Sequence, residues 1–422
     1  METPVLLAVA AAVLGFGLIS GRAEKSIFTP PIVFVALGAV AALLGGVHLH
    51  VDEHLIHTLA EITLVLVLFT DASRIDLRSL RREHDLPVRL LLVGMPLTIL
   101  FGAAVAVGLF PHLTLWEAAL LAAVLAPTDA ALGQAVVSSP KVPVRIRQTL
   151  NVESGLNDGI ALPLVLLMMS ACASAVDGLG GAEYWLRFAA LQVTLGPLVG
   201  WLVGWVGGKA VERATKAGWM NHAFQHLASL ALALMAYAGA EWVGGNGFIA
   251  AFIAGLTLGN TCRQLCACLI DFAEAEGQLL TLLVFLVFGA VLLPDALGHL
   301  AGWQPWVYGI LALTVIRMLP VALSLVGKGL RPATVLFLGW FGPRGIASIL
   351  FGLVVVERSG LTHRSDLFAI VVVTVLLSVV LHGITAHPWS GWYARHVGSL
   401  EPEDAAEHRD VGEMPVRIRH RT

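Results

Sequence analysis

Apolar residues in this chain fall into long blocks separated by short polar breaks. The blocks cover 3–20, 28–47, 55–70, 87–110, 115–137, 150–175, 185–208, 222–243, 246–259, 277–293, 303–326, 333–356 and 365–388. Most hold roughly 15 to 25 residues, enough to cross a hydrocarbon core of about 30 Å as a helix. The block at 246–259 is short, but turn residues bound it on both sides and the charge pattern requires it. The first block lacks a basic leader and a cleavage site, so it reads as a retained helix and not a signal peptide.

Composition agrees with the block pattern. Hydrophobic residues make up 57% of the 422 positions and charged residues only 13%, about half the charged share of a soluble protein. A net charge of −3 argues against a nucleic-acid partner. Four Cys are too few for a secreted disulfide framework. The chain is therefore expected to be an all-α polytopic membrane protein with thirteen transmembrane helices.

Lys and Arg orient it. Twenty-one of the 26 basic residues follow odd-numbered blocks or lie in the C-terminal tail, and only Arg187, Arg358 and Arg364 lie on the opposite side. The positive-inside rule then places the N-terminus outside and the C-terminus in the cytoplasm of a cell (inner) membrane. The tail, 399–422, is charged and without aliphatic periodicity, and is expected to be disordered or weakly structured, with no soluble nucleotide-binding domain appended. Arg317 and Arg344 fall inside spans.

Two spans are interrupted near their centres. The fifth carries Pro127, Thr128 and Asp129, and the twelfth carries Gly342, Pro343, Arg344 and Gly345. With the seventh span (185–208) as linker, the rest form two six-helix repeats, within 1–180 and 220–390 of a membrane domain 1–398. The interrupted spans are then fifth in each repeat and run in opposite directions. Interrupted spans at matching positions of inverted repeats point to a transporter's midplane site. Unwinding leaves opposed half-helix ends, which Asp129 and Arg344 can balance as counter-charges or which Asp129 can join as an ion ligand.

The sixth span opens NVESGLNDGIALPL, placing Glu153, Ser154, Asn157 and Asp158 in its first third. Ser154 and Asp158 share a face, as do Glu153 and Asn157. Two carboxylates in one membrane helix each need a partner or a job. Arg317 is the natural partner for one of them.

These residues carry a resemblance. The ESGLND run, the PTD and GPRG breaks and the thirteen-span layout resemble bacterial and archaeal sodium/proton antiporters of the monovalent cation:proton antiporter-1 family. The likeness covers roughly residues 1–390, including LFTDASRIDL after the third span and SVVLHGITAHP in the thirteenth. The Asn157–Asp158 pair resembles the branch that carries Asn-Asp where electrogenic relatives carry Asp-Asp. The resemblance implies that Asp158 carries the ion and the proton, with Ser154 and the backbone near Thr128 adding oxygens and Asn157 supporting them. It further implies a Glu153–Arg317 ion pair, crossed broken helices stabilised by Asp129 and Arg344, and an acidic residue near the cytoplasmic end of the third span, for which Asp71 is the counterpart.

A carboxylate buried in a low-dielectric site takes up a proton far more readily than in water. One such group, holding either a proton or a monovalent cation, gives obligatory exchange by competition. Sodium is the expected cation, with lithium and potassium as alternatives, in an electroneutral one-for-one cycle serving cytoplasmic pH and sodium homeostasis. The expected partners are those ions, the bilayer and a second copy of the chain, with no cofactor and no resident metal. A cation channel would need a continuous polar pore, and a membrane enzyme a nucleophile–base set or metal ligands at membrane depth.

Three other features invite chemistry. His50, Glu53 and His54 match an H-x-x-E-H zinc pattern, but an external connector of a few residues offers no third ligand or cleft, so a solvated loop is expected. Cys262, Cys266 and Cys268 are expected to be ordinary cytoplasmic thiols. Gly196, Gly200, Gly204 and Gly208 form a small-residue stripe that suits either a dimer contact or an internal packing seam.

Overall fold

The apolar blocks fold as helices. The computed structural model describes residues 3–23, 26–43, 53–82, 84–129, 132–177, 182–262, 277–300, 302–358, 361–397 and 406–408, and among them there is no strand. The longer helices are α1 (Thr3–Ala23), α2 (Pro30–Leu43), α3 (Glu53–Arg74), α4 (Asp85–Leu109), α5 (Leu115–Val124), α6 (Val144–Asp177) and α7 (Ala182–Lys216). They continue as α8 (His222–Trp242), α9 (Gly247–Thr261), α10 (Gly277–His299), α11 (Gln304–Ser324), α12 (Pro332–Trp340), α13 (Ile346–Arg358) and α14 (Arg364–Val397). Among the described residues seven helices are long and apolar enough to cross a membrane, and five shorter apolar helices accompany them.

Local sequence sets several helix ends. Thr114 and Glu117 form a reciprocal capping box at the start of α5. Asn221 and Asn246 accept the first-turn amides of Phe224 and Ile249 in α8 and α9. Pro332 opens α12, where a missing N–H costs nothing. The interruptions have the same kind of local cause. Pro127 cannot donate, and α5 stops at Val124 well short of the expected 137; only Gln134–Val137 resumes the helix. Pro343, within the Gly342–Gly345 run, separates α12 from α13.

The glycine stripe of α7 is an internal seam. A Cβ at Gly196, Gly200 or Gly204 would strike the backbone of α9 at Asn246, Ala250 and Ala254 respectively. On its other side α9 uses Gly255 and Gly259 to lie against the carbonyls of Phe69 and Ser73 in α3. Small residues let the three backbones approach closely where lipid gives no hydrophobic drive between helices. Large apolar side chains on the opposite face of α7, among them Leu198, Trp201, Leu202 and Trp205, stay exposed, as a lipid-facing surface requires.

Several boundaries differ from the apolar blocks. α6 begins at Val144, so Glu153 to Asp158 lie well inside the helix and not near its start. The hydropathy pattern ends at Arg145 and Arg147, but the helix does not, because both side chains are buried and bonded to carbonyls, Arg145 to Ala406 and Arg147 to Val142. α14 runs nine residues past the expected 388 to Val397. α11 is interrupted at Thr314 without a proline to announce it.

The tail also departs from expectation at one point. Residues 406–408 form a short 3₁₀ turn, and the Glu407 carboxylate, 1% exposed, accepts bonds from the Arg331 amide (2.9 Å) and the Thr334 hydroxyl (2.8 Å) at the start of α12. A helix N-terminus attracts a carboxylate, which composition alone does not reveal. The H-x-x-E-H side chains, Cys266 and Cys268 lie outside the described residues; Cys262 is a buried free thiol.

Candidate functional site

The two interrupted segments meet and bond to each other. The Asp129 amide donates to the Pro343 carbonyl at 2.8 Å. The Asp129 carboxylate accepts the Ile346 amide, also at 2.8 Å, at the start of α13. In the other direction the Arg344 guanidinium donates to the carbonyls of Pro127 (3.3 Å) and Gly342 (3.1 Å), just past the ends of α5 and α12. Ser348 adds a bond to the Val124 carbonyl at 2.9 Å. The anion therefore sits at a positive helix end and the cation at negative ones, the arrangement that lowers the energy of both. Both are buried, Asp129 at 8% and Arg344 at 1% exposure.

The glycines around Arg344 are needed for this approach. A Cβ on Gly345 would collide with the Asp129 carboxylate, and one on Gly342 would press on the Arg317 guanidinium. GPRG thus admits two charged neighbours at once.

α6 supplies the second wall. Ser154 Oγ donates to the Thr128 carbonyl at 2.5 Å, and Asn157 Nδ2 donates to Thr128 Oγ1 at 2.6 Å. Asp158 is one turn beyond Ser154 and 6% exposed. Glu153, on the adjacent face, lies 2.5 Å from Arg317 Nη1 of α11, with side chains 3% and 2% exposed. Ser154 and Asn157 thus bond to Thr128 at the unwound part of the fifth apolar block, and Asp158 follows Asn157 in the same helix. Asp71, part-exposed near the end of α3, stands one turn before Ile75, whose side chain a Cβ on Gly155 of α6 would meet at 3.6 Å.

Carboxylate, hydroxyl and main-chain carbonyl oxygens, the kinds present on these residues, are hard donors and not soft-metal ligands. No group of three or more His, Cys, Asp or Glu among the described residues is arranged to hold a metal ion.

Some contributors carry no signal in the apolar pattern. Ser378 and His382 of α14 are fully buried and bond to both sides of the 341–345 break. They belong to the SVVLHGITAHP run of the thirteenth block, four residues apart in an apolar helix, and the run by itself does not say what they bond to.

A multi-helix fold whose two interrupted helices cross beside a buried carboxylate defines the class of secondary ion transporters. The chain belongs to the sodium/hydrogen exchanger family: the family described as "Sodium/hydrogen exchanger, transmembrane" matches residues 8–392, and its members are monovalent cation:proton antiporters, transporters and not catalytic enzymes. The chain is 27% identical over 386 residues to the K(+)/H(+) antiporter NhaP of Alkalimonas amylolytica, covering 89% of this chain and 64% of that protein. It is 26% identical over 357 residues to the K(+)/H(+) antiporter NhaP2 of Shewanella oneidensis, covering 83% and 60%. A Na(+)/H(+) antiporter of Schizosaccharomyces pombe is 25% identical over 397 residues, with 84% of each chain covered. The chain thus spans 60 to 64% of the length of the NhaP relatives it matches. The fold matches that of the sodium proton antiporter MjNhaP1 from Methanocaldococcus jannaschii at pH 8, with a TM-score of 0.76, 19% identity, and 94% and 100% of the two chains covered.

Proposed function

We propose that this chain exchanges a monovalent cation for a proton by competition at Asp158, one for one. The observation that carries the reading is the bonding of Thr128, at the unwound fifth block, to Ser154 and Asn157 of α6, one turn from Asp158. Asp158 balances a dehydrated cation when ionised and a proton when neutral, and Ser154 and the Thr128 carbonyl add oxygens. The empty, ionised site is too costly to move through the apolar barrier, which suppresses leak. Glu153 is held by Arg317, and Asp129 by the α13 terminus, so neither carries a transported proton. Asp71 is assigned an accessory place at the site's entrance.

The same reading takes the thirteen-span layout, the inverted repeats within 1–180 and 220–390, the outside N-terminus and the inner-membrane location as its frame. The cation is sodium in the first reading. Potassium is the second, because the NhaP relatives are named as potassium/proton antiporters.

The experiment is cation-driven proton flux in everted membrane vesicles, with sodium, lithium and potassium offered in turn. Wild type is expected to show saturable, reversible exchange, and Asp158→Asn none, at an equal amount of folded protein. An amide can neither release a proton nor balance a cation. Wild-type exchange by Asp158→Asn would remove Asp158 from the site, and a flux that follows voltage without saturating would make the protein a channel.

A further inference from the structure

Phe341 still bonds to Phe337 and Gly345 still accepts from Ile349, but the helix is broken between them, and something must hold the two lips at a fixed distance. One face of α14 does this. Ser378 Oγ accepts the Arg344 amide at 2.6 Å, on the far lip. His382 Nε2 lies 2.8 Å from the Trp340 carbonyl, on the near lip. His382 Nδ1 is 3.2 Å from Ser378 Oγ and 3.0 Å from the Ser378 carbonyl. The ring also stacks on the Trp340 indole, with centroids 5.0 Å apart, and that indole donates to Thr385 at 2.9 Å.

The donors can be assigned by chemistry. A main-chain carbonyl only accepts, so Nε2 carries the proton that reaches Trp340. Ser378 Oγ takes the Arg344 N–H, and Nδ1 faces both that hydroxyl and, slightly nearer, the Ser378 carbonyl. The bonds then run in sequence from the Arg344 amide through Ser378 and the imidazole to the Trp340 carbonyl. One histidine, 1% exposed, spans the break.

The break leads directly to the cation oxygens. The 341–345 segment holds Pro127 through Arg344 and Asp129 through the Pro343 carbonyl. Thr128 lies between those two residues, and its carbonyl and hydroxyl are the atoms that meet Ser154 and Asn157. A shift of the Trp340 lip therefore reaches the Thr128 carbonyl through a continuous set of bonds.

We propose that His382, acting with Ser378, is a positioning residue of the cation site: its Nε2–H fixes the width of the α12–α13 break and thereby places the Thr128 carbonyl. This rests on the reading that Thr128 and Asp158 form that site. His382 touches no transported ion. Its effect is expected in the apparent affinity for the cation, more than in the turnover of a saturated transporter.

Two amides separate the ring's two edges. The longer side chain of His382→Gln carries an N–H to the place of Nε2 and keeps the Trp340 bond. That of His382→Asn reaches only the place of Nδ1 and loses it. Loss of one buried neutral hydrogen bond corresponds to roughly 3- to 10-fold in an equilibrium constant. The test uses the full chain in everted vesicles, with apparent KM for sodium and for potassium, and maximal velocity per folded transporter measured by size-exclusion in detergent. His382→Asn is expected to raise the KM for the transported cation roughly 3- to 10-fold, with maximal velocity much less affected, and His382→Gln to recover most of the affinity. Ser378→Ala, a small change that removes the acceptor of the Arg344 amide, is expected to raise KM in the same way and decides the matter if His382→Asn does not fold. A wild-type KM in His382→Asn or Ser378→Ala, or equal impairment of the Asn and Gln variants, overturns the positioning role. Asp158→Asn, run in parallel, keeps the two readings apart. Exchange surviving in Asp158→Asn fails the site itself, whereas an inactive Asp158→Asn beside a normal KM in Ser378→Ala fails only the role of His382.

Discussion

Glu153 and Arg317 are expected to behave as one unit. Their side chains are 3% and 2% exposed and 2.5 Å apart, and Glu153 is the partner that the described contacts give Arg317, whose Nε and Nη2 lack hydrogen-bond acceptors. Glu153→Gln would leave a buried guanidinium without its counter-charge, and Arg317→Gln a buried carboxylate without its own. Breaking a buried pair by removing one member costs about 3–5 kcal/mol. Two independent losses of that size would add to roughly 6–10 kcal/mol, most of the roughly 5–15 kcal/mol by which a typical domain is stable. The double variant, by contrast, leaves two neutral amides within reach of each other, and is expected to cost no more than either single change. The assay is reversible unfolding in mixed micelles across an SDS series, for wild type, both single variants and the double variant. A double loss equal to the sum of the singles would show that the charges act separately and refute the pairing.

Gly345→Ala would drive a Cβ into the Asp129 carboxylate and pull it off the Ile346 amide. A charged hydrogen bond of this kind contributes about 1.5–3 kcal/mol, so the same unfolding series should show a loss of that order. Arg344→Ala removes the donor to the Pro127 and Gly342 carbonyls. It is expected to lower folded yield and turnover while leaving cation binding by the folded fraction, measured by calorimetry.

The interruptions were legible because proline beside charge in an apolar run has few innocent explanations: PTD and GPRG fall where the structure leaves 125–129 and 341–345 out of the helices. ESGLND was equally visible as polar density, but its depth in the helix was not. Hydropathy treats Arg145 and Arg147 as the end of a span, and their buried carbonyl partners, one distant (Ala406) and one local (Val142), explain why the helix continues through them. The same limit hid Glu407, whose burial depends on the amide end of a helix that begins 75 residues earlier. His382 and Ser378 stood out only as part of the SVVLHGITAHP run, and their role was not legible, because one histidine and one serine in a long apolar helix look like ordinary packing until the break they span is seen. The glycine stripe of α7 fitted a dimer contact or a seam equally well, since spacing gives the close approach without naming the neighbour.

The central claim is that one carboxylate carries either ion, with Asn157 unable to titrate, Glu153 held by Arg317 and Asp129 held at the α13 terminus. A cycle of that kind moves no net charge. Vesicles containing the protein can be held at several potentials with potassium and valinomycin, using sodium as the transported cation, while the cation gradient that nulls proton flux is measured. The account predicts one null gradient, equal to the proton gradient, at every potential. A null point that moves with voltage would show net charge crossing with each cycle, and would require a second titrating carboxylate, for which Asp129 is the nearest candidate.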